Sequence, residues 1–219
     1  MKYKPYFLKD VYAGEALNKF RVISTFAGGG GSSTGYRLAG GKILAINEFV
    51  EEARNTYRDN YPNTPILDGD IKELTGKDFL DITKLKEGEL ELLDGSPPCS
   101  AFSMCGTLAR EGTVHSDGFG KTKQYSDGKT VTNIEDLFFE FLRVAEVIRP
   151  KTIIAENVEG LTVGEAKQYF NKIQNTFEDI GYQVVAKVHD CSLFGVPQRR
   201  RRVFFMAVRD DIMDKVGLN

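Results

Sequence analysis

Four side chains in this chain have the types needed for covalent chemistry on a ring: Cys99, Glu156, Arg200 and Arg202. A thiolate is a nucleophile. A carboxyl group gives or takes a proton. Two guanidinium groups supply fixed hydrogen-bond donors. Set beside a nucleoside pocket, these groups suit covalent activation of an electron-poor ring. Cys99 comes directly after Pro97-Pro98, and the apolar run Leu90 to Leu93 before it reads as the end of a buried strand. Asp94-Gly95-Ser96 reads as the break, and the two prolines stiffen the approach to the cysteine. Cys99 then stands just past the carboxyl end of a strand, where open α/β sheets bind ligands. Pro-Pro-Cys by itself fits a small buried cysteine in a turn equally well, so the neighbouring segments decide.

Those segments lay out a cofactor site. Arg21 to Phe26 reads as a short strand running into Ala27-Gly28-Gly29-Gly30-Gly31. The glycines permit a tight turn and close backbone approach to a ligand. Ser32 or Ser33 is placed to cap a helix through Tyr36 to Ala39, ended by Gly40-Gly41. Lys42 to Glu48 is a second strand, ending in a carboxylate able to accept both hydroxyls of a ribose. Strand, Gly-rich turn, helix, strand and acid together are the layout of a nucleoside-cofactor site. Glu51 to Tyr61 reads as helix, stopped by Pro62, and Pro65 to Leu67 as a third strand. Asp70 comes after it, either in a solvated turn or as acceptor for an adenine amino group with Ile71 covering the ring. Asp78 to Leu85 reads as a short helix and Glu89 to Leu93 as the fourth strand.

Residues 104–132 are rich in Gly, Lys, Thr, Ser and Asp and carry no period. So long a stretch is either disordered or functional, and a lid that orders on substrate is the preferred reading. Helical spacing returns at Ile134, Leu137, Phe138, Phe141, Leu142, Ala145 and Ile148, and Pro150 ends it. Thr152 to Ala155 is a buried strand leading into Glu156-Asn157-Val158. Next come a helix over Val163 to Ile180 and a strand over Gln183 to Val188. Arg199 to Arg202 then enter a last strand, Val203 to Val208, before a short polar tail. On a strand, alternate residues face opposite ways, so Arg200 and Arg202 serve the pocket while Arg199 and Arg201 face solvent or phosphate. Alternating strands and helices predict an α/β fold, a mostly parallel sheet with helices on both faces.

The chain has 219 residues, enough for one domain with a full core. No apolar run is long enough to span a membrane, and the N-terminus lacks the apolar core of a signal peptide. Three cysteines are too few and too scattered for a disulfide framework, which points to a reducing, cytoplasmic setting. Cys105 and Cys191 have no motif partner and make no convincing zinc set with Cys99. His115 and His189 read as a loop and a strand-end residue. A net charge of -2 excludes a globally basic nucleic-acid coat, so any such contact must come from a local patch.

Phe26-Ala27-Gly28 with Gly30-Gly31, Pro97-Pro98-Cys99 with Phe102-Ser103, Glu156-Asn157-Val158 and Gln198-x-Arg200-x-Arg202 occur here in one order. In these motifs the chain resembles the catalytic domain of the cytosine-C5 DNA methyltransferases, from about Arg21 to Val208. The resemblance implies a Rossmann-like methyltransferase domain over 21–219 behind an N-terminal extension, 1–20. It implies S-adenosylmethionine as cofactor and double-stranded DNA with a flipped-out cytosine as partner. Cys99 matches the nucleophile for carbon 6. Glu156 matches the acid holding the ring at N3 and the exocyclic amine. Arg202 matches the residue that bonds O2, with Arg200 beside it. Phe26, Gly28, Gly30, Gly31, Glu48, Phe49, Asp70, Ile71, Pro98 and Leu137 fall on cofactor-binding positions.

The chain also departs from that family. Ser100 stands where Gln is most frequent, and Ser24 where an Asp often precedes the cofactor loop. After Val208 the family continues into a target-recognition region and a final Asn-containing motif, and this sequence stops at Asn219. A shortened chain, a split enzyme whose second chain supplies those parts, and a minimal version all fit. An RNA cytosine-C5 methyltransferase is the near rival, since one branch of the family methylates tRNA. A non-catalytic subunit is the rival from another class, disfavoured by the presence of Cys99, Glu156 and Arg202. A dehydrogenase of Rossmann type has no use for the Pro-Pro-Cys and arginine motifs.

Overall fold

The computed structural model describes residues 5–98, 123–124, 130–131, 136–164 and 166–217. Cys99 and most of the 104–132 stretch lie outside the described residues, as do Cys105, His115 and Ile134.

The chain runs through α1 (Leu8–Glu15), β1 (Phe20–Thr25), α2 (Gly31–Leu38), β2 (Gly41–Glu48), α3 (Glu51–Asn60), β3 (Ile66–Asp68), α4 (Gly76–Thr83) and β4 (Leu92–Gly95). It continues through β5 (Lys123–Gln124), β6 (Thr130–Val131), α5 (Leu137–Ile148), β7 (Thr152–Val158), α6 (Ala166–Asp179), β8 (Tyr182–Asp190), β9 (Arg201–Arg209) and α7 (Asp210–Val216). Seven strands form one sheet in the order β3-β2-β1-β4-β7-β9-β8. The pairs β1 with β2, β1 with β4, β2 with β3 and β4 with β7 are parallel. Only β9 runs against its neighbours β7 and β8. The sheet is therefore mostly parallel, as the alternation of elements requires. β5 and β6 pair antiparallel with each other, apart from the main sheet.

Strand alternation divides the core between two faces. Ile23, Leu93, Ile153, Ala155, Val203, Phe205 and Ala207 pack with α4, α5 and α6 residues such as Phe79, Phe138, Phe141, Ile173 and Phe177. Val22, Ile43, Ile46 and Leu92 pack on the other face with Val11, Tyr57 and Tyr61. Residues before β1 belong to that second face. Val11 of α1 is buried, and the Glu15 carboxylate pairs with the buried Arg37 guanidinium at 3.1 Å. The Tyr12 hydroxyl donates to the Asn60 carbonyl at 2.8 Å, tying α1 to the end of α3.

Three expectations change. The fourth strand is Leu92–Gly95, not Glu89 to Leu93, so Asp94 and Gly95 lie inside it. Gly95 is no breaker: a Cβ there would stand 2.6 Å from Phe141 Cε2 and 2.8 Å from Thr25 Oγ1. Only a glycine lets α5 approach this strand so closely. Neither Ser32 nor Ser33 caps α2. The helix begins at Gly31, and Gly30 holds the N-cap with φ 96°, which a residue bearing a Cβ rarely adopts. Ser33 is buried inside the first turn, where it accepts a hydrogen bond from the Tyr57 hydroxyl. Finally, the polar tail folds as α7, opened by Asp210 and Asp211 with Lys215 in its last turn, charges placed to suit the helix dipole.

Candidate functional site

The carboxyl ends of β1, β2, β3 and β4 meet around a cavity of about 270 Å³, near the lower bound for small-molecule sites. Strand order reverses between β1 and β4, the crevice where doubly wound sheets take their ligands. Phe26 and Gly28 enter from the turn after β1, and Asn47, Glu48 and Phe49 from the end of β2. Asp70 and Ile71 come after β3, Ser96 and Pro98 after β4, and Leu137 opens α5. Eight of the ten cofactor positions expected from sequence therefore share one wall system: Phe26, Gly28, Glu48, Phe49, Asp70, Ile71, Pro98 and Leu137. Gly30 and Gly31 lie off it, at the start of α2, where Gly30 abuts the Tyr57 and Tyr61 rings.

Asn47, Val50, Ala53 and Ser96 line the cavity without a sequence motif to mark them. Val50 and Ala53 stand three residues apart at the start of α3, on one helical face. That spacing was the available signal. The Asn47 side-chain amide donates to the Leu67 and Gly69 carbonyls at 3.0 and 3.1 Å, fixing the turn that carries Asp70.

Glu48 is held from both sides. Gly28 N–H donates to its Oε2 and Val50 N–H to its Oε1, each at 2.8 Å. Two backbone donors orient the carboxylate and leave a free lone pair on each oxygen. Asp70 Oδ1 accepts from Lys72 N–H at 3.0 Å. Phe26 has φ 52°, an uncommon conformation for a bulky residue and one that concentrates at functional sites. Apolar walls from Phe26, Phe49, Ile71, Pro98 and Leu137, with fixed carboxylates at Glu48 and Asp70, fit a flat ring bearing a hydroxylated sugar.

A second group stands at the same sheet edge, outside that lining. Glu156 lies near the end of β7, and Arg202 near the start of the antiparallel β9. Glu156 Oε1 receives Arg202 Nε at 3.0 Å and Arg200 Nη2 at 3.2 Å. One carboxylate oxygen thus gathers the two arginines that alternation assigned to the pocket. Arg201 is exposed, on the solvent side as strand alternation expects, and there it pairs with Glu159 at 2.7 Å. His189 is a strand-end residue, edge-on to the Phe194 ring. Cys191 is a free, half-buried thiol. Among the described residues no cluster of His, Cys, Asp and Glu could hold a metal ion, and no helix is long and apolar enough to cross a membrane.

The Pro97-Pro98 turn is tied to both groups. The buried Asn157 amide donates to the Pro97 carbonyl at 3.3 Å, while its Oδ1 accepts from Val158 N–H at 2.8 Å. Asn157 thereby couples the Glu156 strand to the chain leading to Cys99. Beneath the turn, Asp94 is 5% exposed and accepts hydrogen bonds from Ser24 Oγ at 2.7 Å and the Tyr36 hydroxyl at 2.9 Å. The hydroxyl at position 24, a departure in the sequence, thus meets a carboxylate on the next strand. Burial pushes the Asp94 carboxyl up to about 6, against the pull of its hydroxyl donors and with a contribution from the Glu156 charge. Burial, and then the Asp94 charge, raise the Tyr36 hydroxyl well above its ordinary range, so it stays protonated and donating.

Known proteins resemble this chain. The family model for C-5 cytosine-specific DNA methylase matches residues 20–217. Type II methyltransferase M.Eco47II of Escherichia coli is 33% identical over 200 residues, covering 91% of this chain and 42% of that protein. Type II methyltransferase M.AquIA of Picosynechococcus sp. is 32% identical over 197 residues, covering 86% of this chain and 72% of that protein. A putative DNA modification methyltransferase encoded within a prophage of E. coli has a similar structure. Its TM-score is 0.68 at 24% identity, over 89% of this chain and 48% of that one. The DNMT2 of Spodoptera frugiperda gives 0.63 at 21% identity, over 89% and 51%. The two solved structures bear on the fold, a Rossmann-like methyltransferase domain. The chain spans about half the length of most of these relatives.

Proposed function

Because the chain belongs to the C-5 cytosine-specific DNA methylase family, we propose that it takes part in methyl transfer to carbon 5 of a cytosine turned out of duplex DNA. The observation that carries this reading is the Glu156 carboxylate holding Arg200 and Arg202 at the sheet edge shared with the cavity. S-adenosylmethionine, when bound, supplies the methyl group. Glu48 would hold the ribose hydroxyls and Asp70 the adenine amine, between the apolar walls of Phe26, Phe49, Ile71, Pro98 and Leu137.

Carbon 5 of cytosine is a poor nucleophile. The Cys99 thiolate adds to carbon 6, and the electron pair displaced makes carbon 5 enamine-like. Glu156 binds N3 and the exocyclic amine, and its proton offsets the charge that develops on attack. Arg202 donates to O2, with Arg200 beside it. After methylation, loss of the carbon 5 proton returns the electron pair and breaks the bond to Cys99. Recognition of a target sequence is proposed for a segment or second chain beyond these 219 residues, since the relatives are about twice as long.

The test is a trap. Duplex DNA carrying 5-fluorocytosine cannot lose the proton that expels the thiol. With S-adenosylmethionine present, a covalent adduct mapped to Cys99 is expected. An adduct with RNA carrying the same base, and none with DNA, would move the substrate class. Absence of any adduct, with and without a candidate partner chain, would overturn the reading.

A further inference from the structure

Arg54 breaks two local rules. It stands in the first turn of α3, where a cation opposes the helix dipole. It is also 7% exposed, and no carboxylate forms an ion pair with it among the described residues. Its Nε is buried without a hydrogen-bond partner. A buried cation lacking a counter-ion is costly, and an apolar side chain of similar volume would pack at lower cost. Positions that break local rules in this way concentrate at functional sites.

What the guanidinium holds supplies the reason. Arg54 Nη1 donates to the Glu48 carbonyl at 3.1 Å and to the Phe49 carbonyl at 2.5 Å. One nitrogen carries two N–H donors, one for each carbonyl. Both acceptors belong to cavity walls, and so do Val50 and Ala53. β2 ends at Glu48 and α3 begins at Glu51, so the two carbonyls stand at the junction of strand and helix. The Glu48 carboxylate is held by Gly28 and Val50 N–H, each at 2.8 Å. Arg54 holds the main chain of the same residue. A turn of this junction would swing the carboxylate, and polar contacts to a ligand must be held within about 0.5 Å to serve it.

We propose that Arg54 is a positioning residue for sugar recognition: by clamping the Glu48 and Phe49 carbonyls it fixes where the Glu48 carboxylate meets the ligand's hydroxyls. That those hydroxyls belong to S-adenosylmethionine rests on the function proposed above, whereas the clamp does not. Arg54 is absent from the cavity lining, so it acts through Glu48 and not on the ligand.

The experiment is a double-mutant cycle on S-adenosylmethionine affinity, by calorimetry, with exchange of the Gly28 and Val50 amides followed by NMR in the free protein. Wild type, Arg54→Met, Glu48→Ala and the double variant form the cycle. Arg54→Met should weaken binding about tenfold, the scale of one hydrogen bond to a charged group. On the Glu48→Ala background the same substitution should change affinity by less than about twofold, because the group it positions is gone. The Gly28 and Val50 amides of Arg54→Met should exchange about tenfold faster, with core amides of β1 and β7 unchanged. Arg54→Lys, which keeps donors for the carbonyls, should recover part of both effects. Equal losses on the two backgrounds would show a merely structural residue and overturn the proposal, as would unchanged affinity or unchanged amide exchange in Arg54→Met. If Arg54→Met does not fold, Arg54→Lys decides on the same two backgrounds: a loss of about threefold on the first and none on the second is expected, and equal losses overturn the proposal. Faster exchange of the two amides, in a protein whose wild type binds no S-adenosylmethionine, would support the clamp and overturn the cofactor reading instead.

Discussion

Glu156 on β7 and Arg202 on β9 meet across the one antiparallel boundary next to the parallel strands, Oε1 to Nε at 3.0 Å. The reversal matters. Because β9 runs against β7, the beginning of β9 reaches the edge where the parallel strands end. A parallel last strand would carry Arg200 and Arg202 to the opposite edge. Glu156 is outside the cavity lining, so its two proposed partners, base and arginines, are separable from the cofactor. Glu156→Gln should abolish adduct formation with 5-fluorocytosine while S-adenosylmethionine affinity, by calorimetry, stays within about threefold. Loss of cofactor affinity in this variant would contradict that separation.

Glu48 has two duties, orienting the Gly28 turn and, as proposed, binding ribose. Glu48→Ala removes both and should weaken S-adenosylmethionine binding by about 1.5–3 kcal/mol. Glu48→Gln keeps one acceptor oxygen and should fall between Ala and wild type. Calorimetry giving equal affinity for all three proteins would remove Glu48 from the site.

Gly95→Ala forces a methyl group against Phe141 and Thr25. Overpacking of this kind costs about 1–3 kcal/mol, so its denaturant midpoint should drop with little change in slope. Phe141→Leu, which makes room, should recover part of the loss when combined with it. A Gly95→Ala protein as stable as wild type would show that α5 moves away freely.

Glu91 anchors a network at the far edge of the sheet. Its carboxylate accepts from Arg21 Nε at 2.7 Å, and Lys151 Nζ lies at 2.8 Å. The Arg21 guanidinium, and then Lys151, hold the Glu91 carboxyl down to about 2, against the cost of burial. A depressed carboxyl contributes stability above its unfolded pKa and loses it as pH falls through the folded one. Glu91→Gln should therefore cost about 1–2 kcal/mol at pH 7, the partial exposure of the network reducing the gain. The difference from wild type should shrink between about pH 4.5 and 2. A difference that stays constant over that window in chemical denaturation would mean the network is not ionic in effect.

Much of the order of elements was legible from local pattern. Apolar runs bounded by glycine and proline located the sheet strands, and helical spacing found α5 and α6, because burial on a face imposes a period on the chain itself. Glu48, Asp70, Pro98 and Glu156 were legible for the same reason: residues placed just after parallel strands arrive at one edge whatever the loops do. The rest depended on contacts between segments distant in sequence. Gly95 looked like a strand breaker because its reason is a phenylalanine on another element. Ser33 looked like a cap because the left-handed turn at Gly30 leaves no mark on the serines. Asp94 looked like part of a turn because its hydroxyl partners stand on β1 and α2. The sharing of Glu156 by two arginines needed the reversal of β9, and strand direction is set by how β7, β8 and β9 pack on α5 and α6, which no short stretch of sequence records.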